Sequence, residues 1–100
     1  MTAFTTRVEL HGAERREYDS LHLQMAARGF TRTIVSDEGI TYNMPWAEYN
    51  YVGAKTRTQV LESAKAAVAA LTPKRAAAIL VTESAGRSWH GLTKVQARAA

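Results

Sequence analysis

The sequence predicts an α+β domain in which a four-stranded antiparallel sheet carries two helices on one of its faces. Two observations indicate the elements: short segments alternate apolar and polar residues, as strands do, and two longer segments repeat apolar residues at helical spacing. A third observation is their order along the chain, which is strand, helix, strand, strand, helix, strand, with glycine or proline between most of them.

The first strand and the first helix follow each other closely. Apolar and polar residues alternate over residues 3–11, so we expect a strand there, ended by Gly12. Apolar residues then recur at helical spacing, which predicts a helix over about 13–28. Gly29 suits the position after this helix, because glycine readily takes the positive φ that often ends a helix.

The middle of the chain is predicted to be extended. β-forming residues occupy 31–35, a turn is expected at 37–39, and residues 40–42 resume the extended pattern as far as Pro45. A further strand is expected over 47–54. Proline has no amide hydrogen to donate, so Pro45 fits an edge strand or the point where the chain leaves the sheet.

The second helix has a clear start signal. Thr56 and Gln59 have the spacing of a capping box, in which each side chain bonds the backbone of the other residue, and the helix is expected over about 57–71. Residues 76–83 are apolar on both faces and predict a buried strand. Residues 76–78 could instead add a turn of helix, so two starts for this strand remain open.

The order of these elements matches the ferredoxin-like βαββαβ sandwich, whose first and third strands lie at the centre of the sheet. We expect one domain over 1–100, with its core in 3–83, a C-terminal segment over 84–96 that packs back, and frayed residues at 97–100. The far face of the sheet is then free for a ligand or a second subunit. Because 76–83 is an apolar edge strand, we also expect a homodimer, through that edge or through the free face.

Composition excludes several classes of protein. The chain has no cysteine, which excludes disulfides and thiolate metal sites. Its start alternates and is no signal peptide, and no apolar run is long enough for a membrane span, so we expect a soluble cytoplasmic protein that does not enter membranes. The common phosphate-loop, dinucleotide and hydrolase motifs are missing, and the three histidines lack ligand spacing. We therefore expect no metal and no cofactor.

The net charge of +4 is unevenly distributed. Residues 1–73 are balanced, and the whole excess lies in residues 74–100. The charged residues of that last quarter are Lys74, Arg75, Arg87, Lys94 and Arg98 against Glu83. Such a basic end attracts phosphate groups, or it is simply a solvated tail.

The free face of the predicted sheet is the best candidate for a binding surface. If the apolar residues of the first strand face the helices, then Arg7 and His11 point away from them on a central strand. Tyr49 and Tyr51 share one face of the neighbouring strand, and outward-facing rings beside a cation would suit the bases and phosphates of single-stranded RNA. In the alternative, both tyrosines pack under the helices or in a subunit interface, with their hydroxyls at the rim.

His11 is the candidate for acid–base chemistry, and Arg32 is a further candidate for RNA binding. An imidazole that follows a strand and precedes a glycine turn could act as general base on a ribose 2′-hydroxyl, since its pKa lies near neutrality. In the other interpretation His11 is a plain loop residue. Trp89 and His90, near Lys94, form a second candidate contact surface, unless Trp89 only covers the core.

The central region, GFTRTIVSDEGITYNMPWAEYNYVGAKTRTQVLESAKAAV, resembles that of the GhoS-type antitoxin endoribonucleases of type V toxin–antitoxin systems. The matching elements are Gly29-Phe30, Ile34-Val35, Asp37-Glu38 before Gly39-Ile40, and the polar step into the second helix. The resemblance covers about 4–83 and is strongest over 29–68. It implies a ferredoxin-like fold and cleavage of single-stranded messenger RNA, plausibly that of a small membrane toxin. It carries no catalytic residue onto this chain.

Two other classes of function remain as alternatives. The first is a non-catalytic dimeric module that uses the same sheet for binding or regulation, which the alanine-rich second helix and the apolar strand at 77–82 would suit. The second is a small-molecule binder, for which the sequence offers no dedicated polar cluster.

Overall fold

The computed structural model describes residues 1–95, which form an α+β domain with two helices and five strands. The elements are β1 (Thr2–Leu10), α1 (Arg15–Ala26), β2 (Thr33–Val35), β3 (Thr41–Asn43), β4 (Glu48–Gly53), α2 (Arg57–Ala69) and β5 (Ala77–Ser84). The predicted α+β class is confirmed. The last strand begins at Ala77 and is not preceded by an extra turn of helix.

The main sheet has three antiparallel strands in the order β4-β1-β5. β1 lies at its centre, with Arg7 opposite Glu48 on one side and Leu80 on the other. The alternation in β1 separates the two faces of the sheet: Phe4 and Val8 are fully buried, whereas Arg7 is exposed. One face therefore carries the core, and the other exposes the polar side chains of β1 together with apolar side chains such as Leu80 and Val52.

A four-stranded sheet is not confirmed, because β2 and β3 pair with each other in a separate two-stranded sheet. One residue pair connects this hairpin to β4: Thr31 and Asn50 each donate their backbone N–H to the other's carbonyl oxygen at 2.8 Å. The free side of β3 bonds the C-terminal segment, since Asn43 N–H donates to Thr93 O at 2.8 Å. Within residues 1–95 the C-terminal segment thus pairs with the outer edge of β3, and the Thr31–Asn50 bridge links the hairpin to β4.

Both helices begin with capping boxes and pack on the same face of the sheet. The capping box at Thr56 and Gln59 is confirmed, with bonds of 2.9 and 3.1 Å. In α1, Glu14 is the N-cap and Glu17 completes the box, which is why this helix starts later than the pattern predicted. No helix in residues 1–95 is long and apolar enough to cross a membrane.

The core lies between the helices and the inner face of the main sheet. Alanines on α2 let the helix approach the strands closely, and larger side chains from β1 and α1 fill the space between them. Fully burying one of these large side chains contributes roughly 1.5–3 kcal/mol. The buried cluster comprises Phe4, Val8, Leu10, Leu21, Met25, Phe30, Tyr49, Val60, Ala64, Ala67, Val68 and Leu71.

The chain after β5 crosses part of the outer face of the sheet. Arg87 Nη1 donates to Asn50 Oδ1 at 2.8 Å and to Thr5 Oγ1 at 3.2 Å. The Trp89 ring contacts Tyr42 edge-on, with 5.5 Å between the ring centroids. The expectation that this face is wholly free is therefore corrected: the half around Thr5 is covered, and the half around Arg7 is not. The predicted fraying at 97–100 lies outside the described residues.

Candidate nucleic-acid interface

Arg7, Glu9 and His11 stand side by side at the uncovered end of the outer sheet face. Every second residue of β1 points to this face, which places Arg7 and Glu9 there. His11 is the first residue after the strand, and its contact with Glu9 places it beside them. His11 Nε2 lies 4.0 Å from Glu9 Oε1. The backbone N–H of His11 donates to Ala76 O at 2.8 Å. This bond extends the pairing with the chain before β5 by one residue, just before Gly12 turns the chain away at φ 69°.

A shallow groove of about 240 Å³ runs beside these residues. Its lining residues are Arg7, Glu9, Ala78, Ile79 and Leu80. In residues 1–95 Arg7 forms no ion pair, so its guanidinium has no fixed anionic partner. Arg7 can bind a phosphate in this groove. His11 lies four residues further along the extended chain, about 13 Å away at the rise of a strand, and its imidazole can accept a proton there.

Tyr49 and Tyr51 face the helices and not the groove. Tyr49 is only 1% exposed and lies within the core, while Tyr51 is half-buried against the rings of Phe4 and Phe30. The two tyrosines do share one face, but the condition that this face points outward is not met. The structure agrees with the alternative in which both tyrosines pack under the helices.

Sequence reasoning did not single out His22, yet the structure shows that His22 is the polar partner of Tyr49. Its Nδ1 lies 2.6 Å from the Tyr49 hydroxyl, and its Nε2 is buried without a hydrogen-bond partner among the described residues. Burial lowers the pKa of His22, the positive charge of Arg32 lowers it further, and Asp19 opposes the shift. Burial also raises the pKa of Tyr49, so both partners are neutral near pH 7.

The signal for this pair was present in the helix pattern. His22 lies four residues after Tyr18 and next to the buried Leu21, so it belongs to the inner stripe of α1. A histidine in such a stripe needs a polar partner, and a tyrosine on an adjacent strand can supply one.

Trp46 is the second residue that sequence reasoning missed. It is 46% exposed and contacts the rings of Tyr18 and His22, at centroid distances of 5.5 and 5.3 Å. The guanidinium carbons of Arg15 and Arg32 lie 5.0 and 5.8 Å from the centre of its ring. The structure therefore places Arg7 and His11 at the same end of β1, with Glu9 between them, and places Arg32 elsewhere, beside the part-exposed indole of Trp46.

The second predicted contact surface, around Trp89 and His90, lies on the covered half of the outer sheet face, near Thr5. Trp89 lines a cleft of about 460 Å³ between the C-terminal segment and the β2–β3 turn, together with Arg87. The carboxylates of Asp37 and Glu38 also line this cleft, which makes it less suited to an anion than the Arg7 groove. No cluster of three or more histidines and carboxylates that could hold a metal ion occurs in residues 1–95.

Comparison with known proteins identifies no relative that would assign this site: no family model matches the sequence, and no curated protein matches it. The geometry of these side chains and the resemblance of the central region are therefore the features that point to a function.

Proposed function

We propose that this chain is an antitoxin endoribonuclease of the GhoS type, which cleaves the single-stranded messenger RNA of a small toxin. The observation that carries the proposal is the row of Arg7, Glu9 and His11 on the uncovered end of the central strand. The order β4-β1-β5, with both helices on one face and β2 reaching β4 through Thr31, is compatible with a ferredoxin-like fold. That fold supports the resemblance.

The three residues have distinct roles in the proposed reaction. His11 accepts the proton of a ribose 2′-hydroxyl, and the oxygen attacks the adjacent phosphorus. The bond from phosphorus to the 5′-oxygen breaks, the leaving oxygen takes a proton from the imidazolium or from water, and a 2′,3′-cyclic phosphate remains. Arg7 stabilises the charge on the non-bridging oxygens, and Glu9 orients the imidazole of His11.

Incubation of the purified protein with single-stranded RNA tests this assignment. We expect cleavage by the wild type and a large loss in Arg7→Ala and His11→Ala. His90→Ala and Arg16→Ala are matched controls, because both side chains are exposed and lie outside the row. Products with a 2′,3′-cyclic phosphate and a 5′-hydroxyl are expected. Products with a 3′-hydroxyl and a 5′-phosphate would contradict attack by the 2′-oxygen.

A second function, a non-catalytic dimeric module, is favoured by the edge strand. Within the described residues β5 pairs with β1 on one side only, and Leu80 on its outer face is 65% exposed. An unpaired apolar edge suits a second copy of the chain. Light scattering is expected to show a dimer that Leu80→Lys weakens, whereas a strict monomer at high concentration would contradict this alternative.

A further inference from the structure

Trp46 lies at the end of the sheet because of one unusual backbone conformation. The ladder between β1 and β4 continues to Ala47, whose carbonyl accepts from Val8 N–H at 3.0 Å. In a regular strand Trp46 would share the outer face with Glu48. Ala47 instead has φ 64°, a left-handed conformation that is uncommon for residues other than glycine, and Trp46 contacts α1 on the inner side. The indole therefore sits at the corner where the outer face meets the first helix.

The indole is held by aromatic residues at this corner. Tyr18 packs on the indole. The Tyr18 hydroxyl accepts a hydrogen bond from Leu10 N–H at 2.9 Å, which holds the Tyr18 side chain in place. His22 contacts the indole edge-on, and the 2.6 Å contact with Tyr49 keeps the His22 ring in place. A side chain that is supported in this way and still 46% exposed can receive a planar ligand with little loss of entropy.

Two positive charges flank Trp46 and form no ion pair within residues 1–95. Arg15 and Arg32 both lie near the ring and are exposed, and neither forms an ion pair within residues 1–95. The neighbouring Arg16, in contrast, lies 3.4 Å from Glu14. A part-exposed indole can stack on a base, and the two guanidinium groups over its ring can contact the phosphates linked to that base.

We propose that Trp46, Arg15 and Arg32 form a stacking site for one nucleobase of single-stranded RNA. Its base lies on the indole and the flanking phosphates contact the two arginines. The site is at the same end of β1 as Arg7 and His11, so it would hold the substrate on one side of the bond that is cleaved. The choice of RNA as the ligand rests on the proposed function.

The chain offers a direct optical test, because it has only two tryptophans. In a Trp89→Phe background the emission reports on Trp46 alone. A short 2′-O-methylated oligoribonucleotide cannot be cleaved by 2′-oxygen attack and serves as the probe. We expect it to quench Trp46 emission, and we expect Trp46→Ala to weaken binding, measured by anisotropy of a labelled probe, roughly tenfold or more. Trp46→Phe keeps a ring there, so it should retain most of the affinity even if the alanine variant is poorly folded.

Salt dependence separates the arginines from the indole. Arg15→Ala and Arg32→Ala should each lower the slope of log affinity against log salt by about 0.7, the value for one phosphate contact on a single strand. Arg16→Ala is the matched control and should leave the slope unchanged. On cleavable RNA, loss of Trp46 should raise KM and spare kcat, whereas loss of His11 should lower kcat.

The outcomes distinguish this site from the proposed function. Binding of the probe without quenching, or with unchanged affinity in Trp46→Ala, would overturn the stacking site and leave the nuclease proposal intact. Quenching without any cleavage of natural RNA would support the stacking site and contradict the nuclease. A wild-type protein that neither binds nor cleaves RNA would overturn both.

Discussion

The two faces of the main sheet use similar residues in opposite ways. On the inner face, His22 and Tyr49 are buried and contact each other at 2.6 Å. On the outer face, His11 and Arg7 are exposed, and the nearest charged partner of His11 is the Glu9 carboxylate at 4.0 Å. The inner pair contributes to the stability of the fold, whereas Arg7 and His11 are exposed to solvent.

The outer face itself contains a similar contrast, between an arginine that is bonded to the sheet and one that is not. Arg87 has two fixed acceptors on the sheet, whereas Arg7 has no ion-pair partner in the described part of the chain. A guanidinium whose N–H groups already bond the protein helps to hold a segment in place, and one without such bonds can bind an anion. Partner geometry, and not residue type, therefore separates structural from functional candidates here.

The largest expected difference between the two faces is in packing. Leu21 is fully buried on the inner side of α1, so Leu21→Ala should lower the free energy of unfolding by about 2–5 kcal/mol. Leu23 on the same helix is 73% exposed, and Leu23→Ala should change it by less than about 0.5 kcal/mol. Urea unfolding measures both. Similar losses in the two variants would mean that α1 does not bury the face described here.

Removing one hydroxyl tests the inner polar pair. In Tyr49→Phe both ring nitrogens of His22 would be buried without a partner, which should cost about 1–3 kcal/mol of stability. Tyr42→Phe is the matched control, since the Tyr42 ring also packs against another aromatic ring but its hydroxyl makes no hydrogen bond within residues 1–95. Equal unfolding midpoints for the two variants would remove the role assigned to this contact.

The buried histidine of the inner pair, His22, should also make the stability of the fold depend on pH. The pKa of His22 is lowered on folding, so below the ordinary histidine value of 6.5 the unfolded chain binds a proton that the folded chain does not. Stability is therefore complete above that pH and falls as the solution is acidified, by at most about 1.4 kcal/mol per pH unit for one proton.

Unfolding measured between about pH 6.5 and pH 5 isolates this effect, because Glu17 and Glu38, whose pKa values are lowered, contribute only in more acidic solution. His22→Gln should flatten the pH dependence in this range. A slope that survives the His22 substitution would place the titrating group elsewhere.

Much of the fold could be predicted because it depends on local patterns. The capping box at Thr56 and Gln59 located α2, and the alternation in β1 assigned Phe4 and Val8 to the core. The separation of the β2–β3 hairpin from the main sheet could not be predicted in the same way. It depends on hydrogen bonds with the C-terminal segment, such as that between Asn43 and Thr93, and a periodic pattern contains no information on such distant partners.

The candidate site was predicted only in part, for a related reason. Arg7 and His11 follow from the period of a strand, so their shared face could be read from the sequence. The position of Trp46 could not be read from the sequence, because it depends on a left-handed φ at Ala47. Glycine is the residue that usually indicates such a φ, and the sequence has alanine there. Arg32 was a candidate from its charge alone, and its neighbour Trp46 emerges only from the three-dimensional arrangement.

The smallest expected effect compares the two arginines of the outer face. Arg87→Ala removes the donor for Thr5 and Asn50 and releases the C-terminal segment from the sheet, which should cost about 1–2 kcal/mol of stability. Arg7→Ala should change stability by less than about 0.5 kcal/mol, because Arg7 is exposed and has no ion-pair partner within residues 1–95. RNA cleavage should respond in the opposite order, with Arg7→Ala losing activity and Arg87→Ala keeping it while folded. If Arg7→Ala instead lowered the unfolding midpoint as much as Arg87→Ala does, Arg7 would be a structural residue. That result would contradict the proposal that the uncovered half of the outer face binds a ligand.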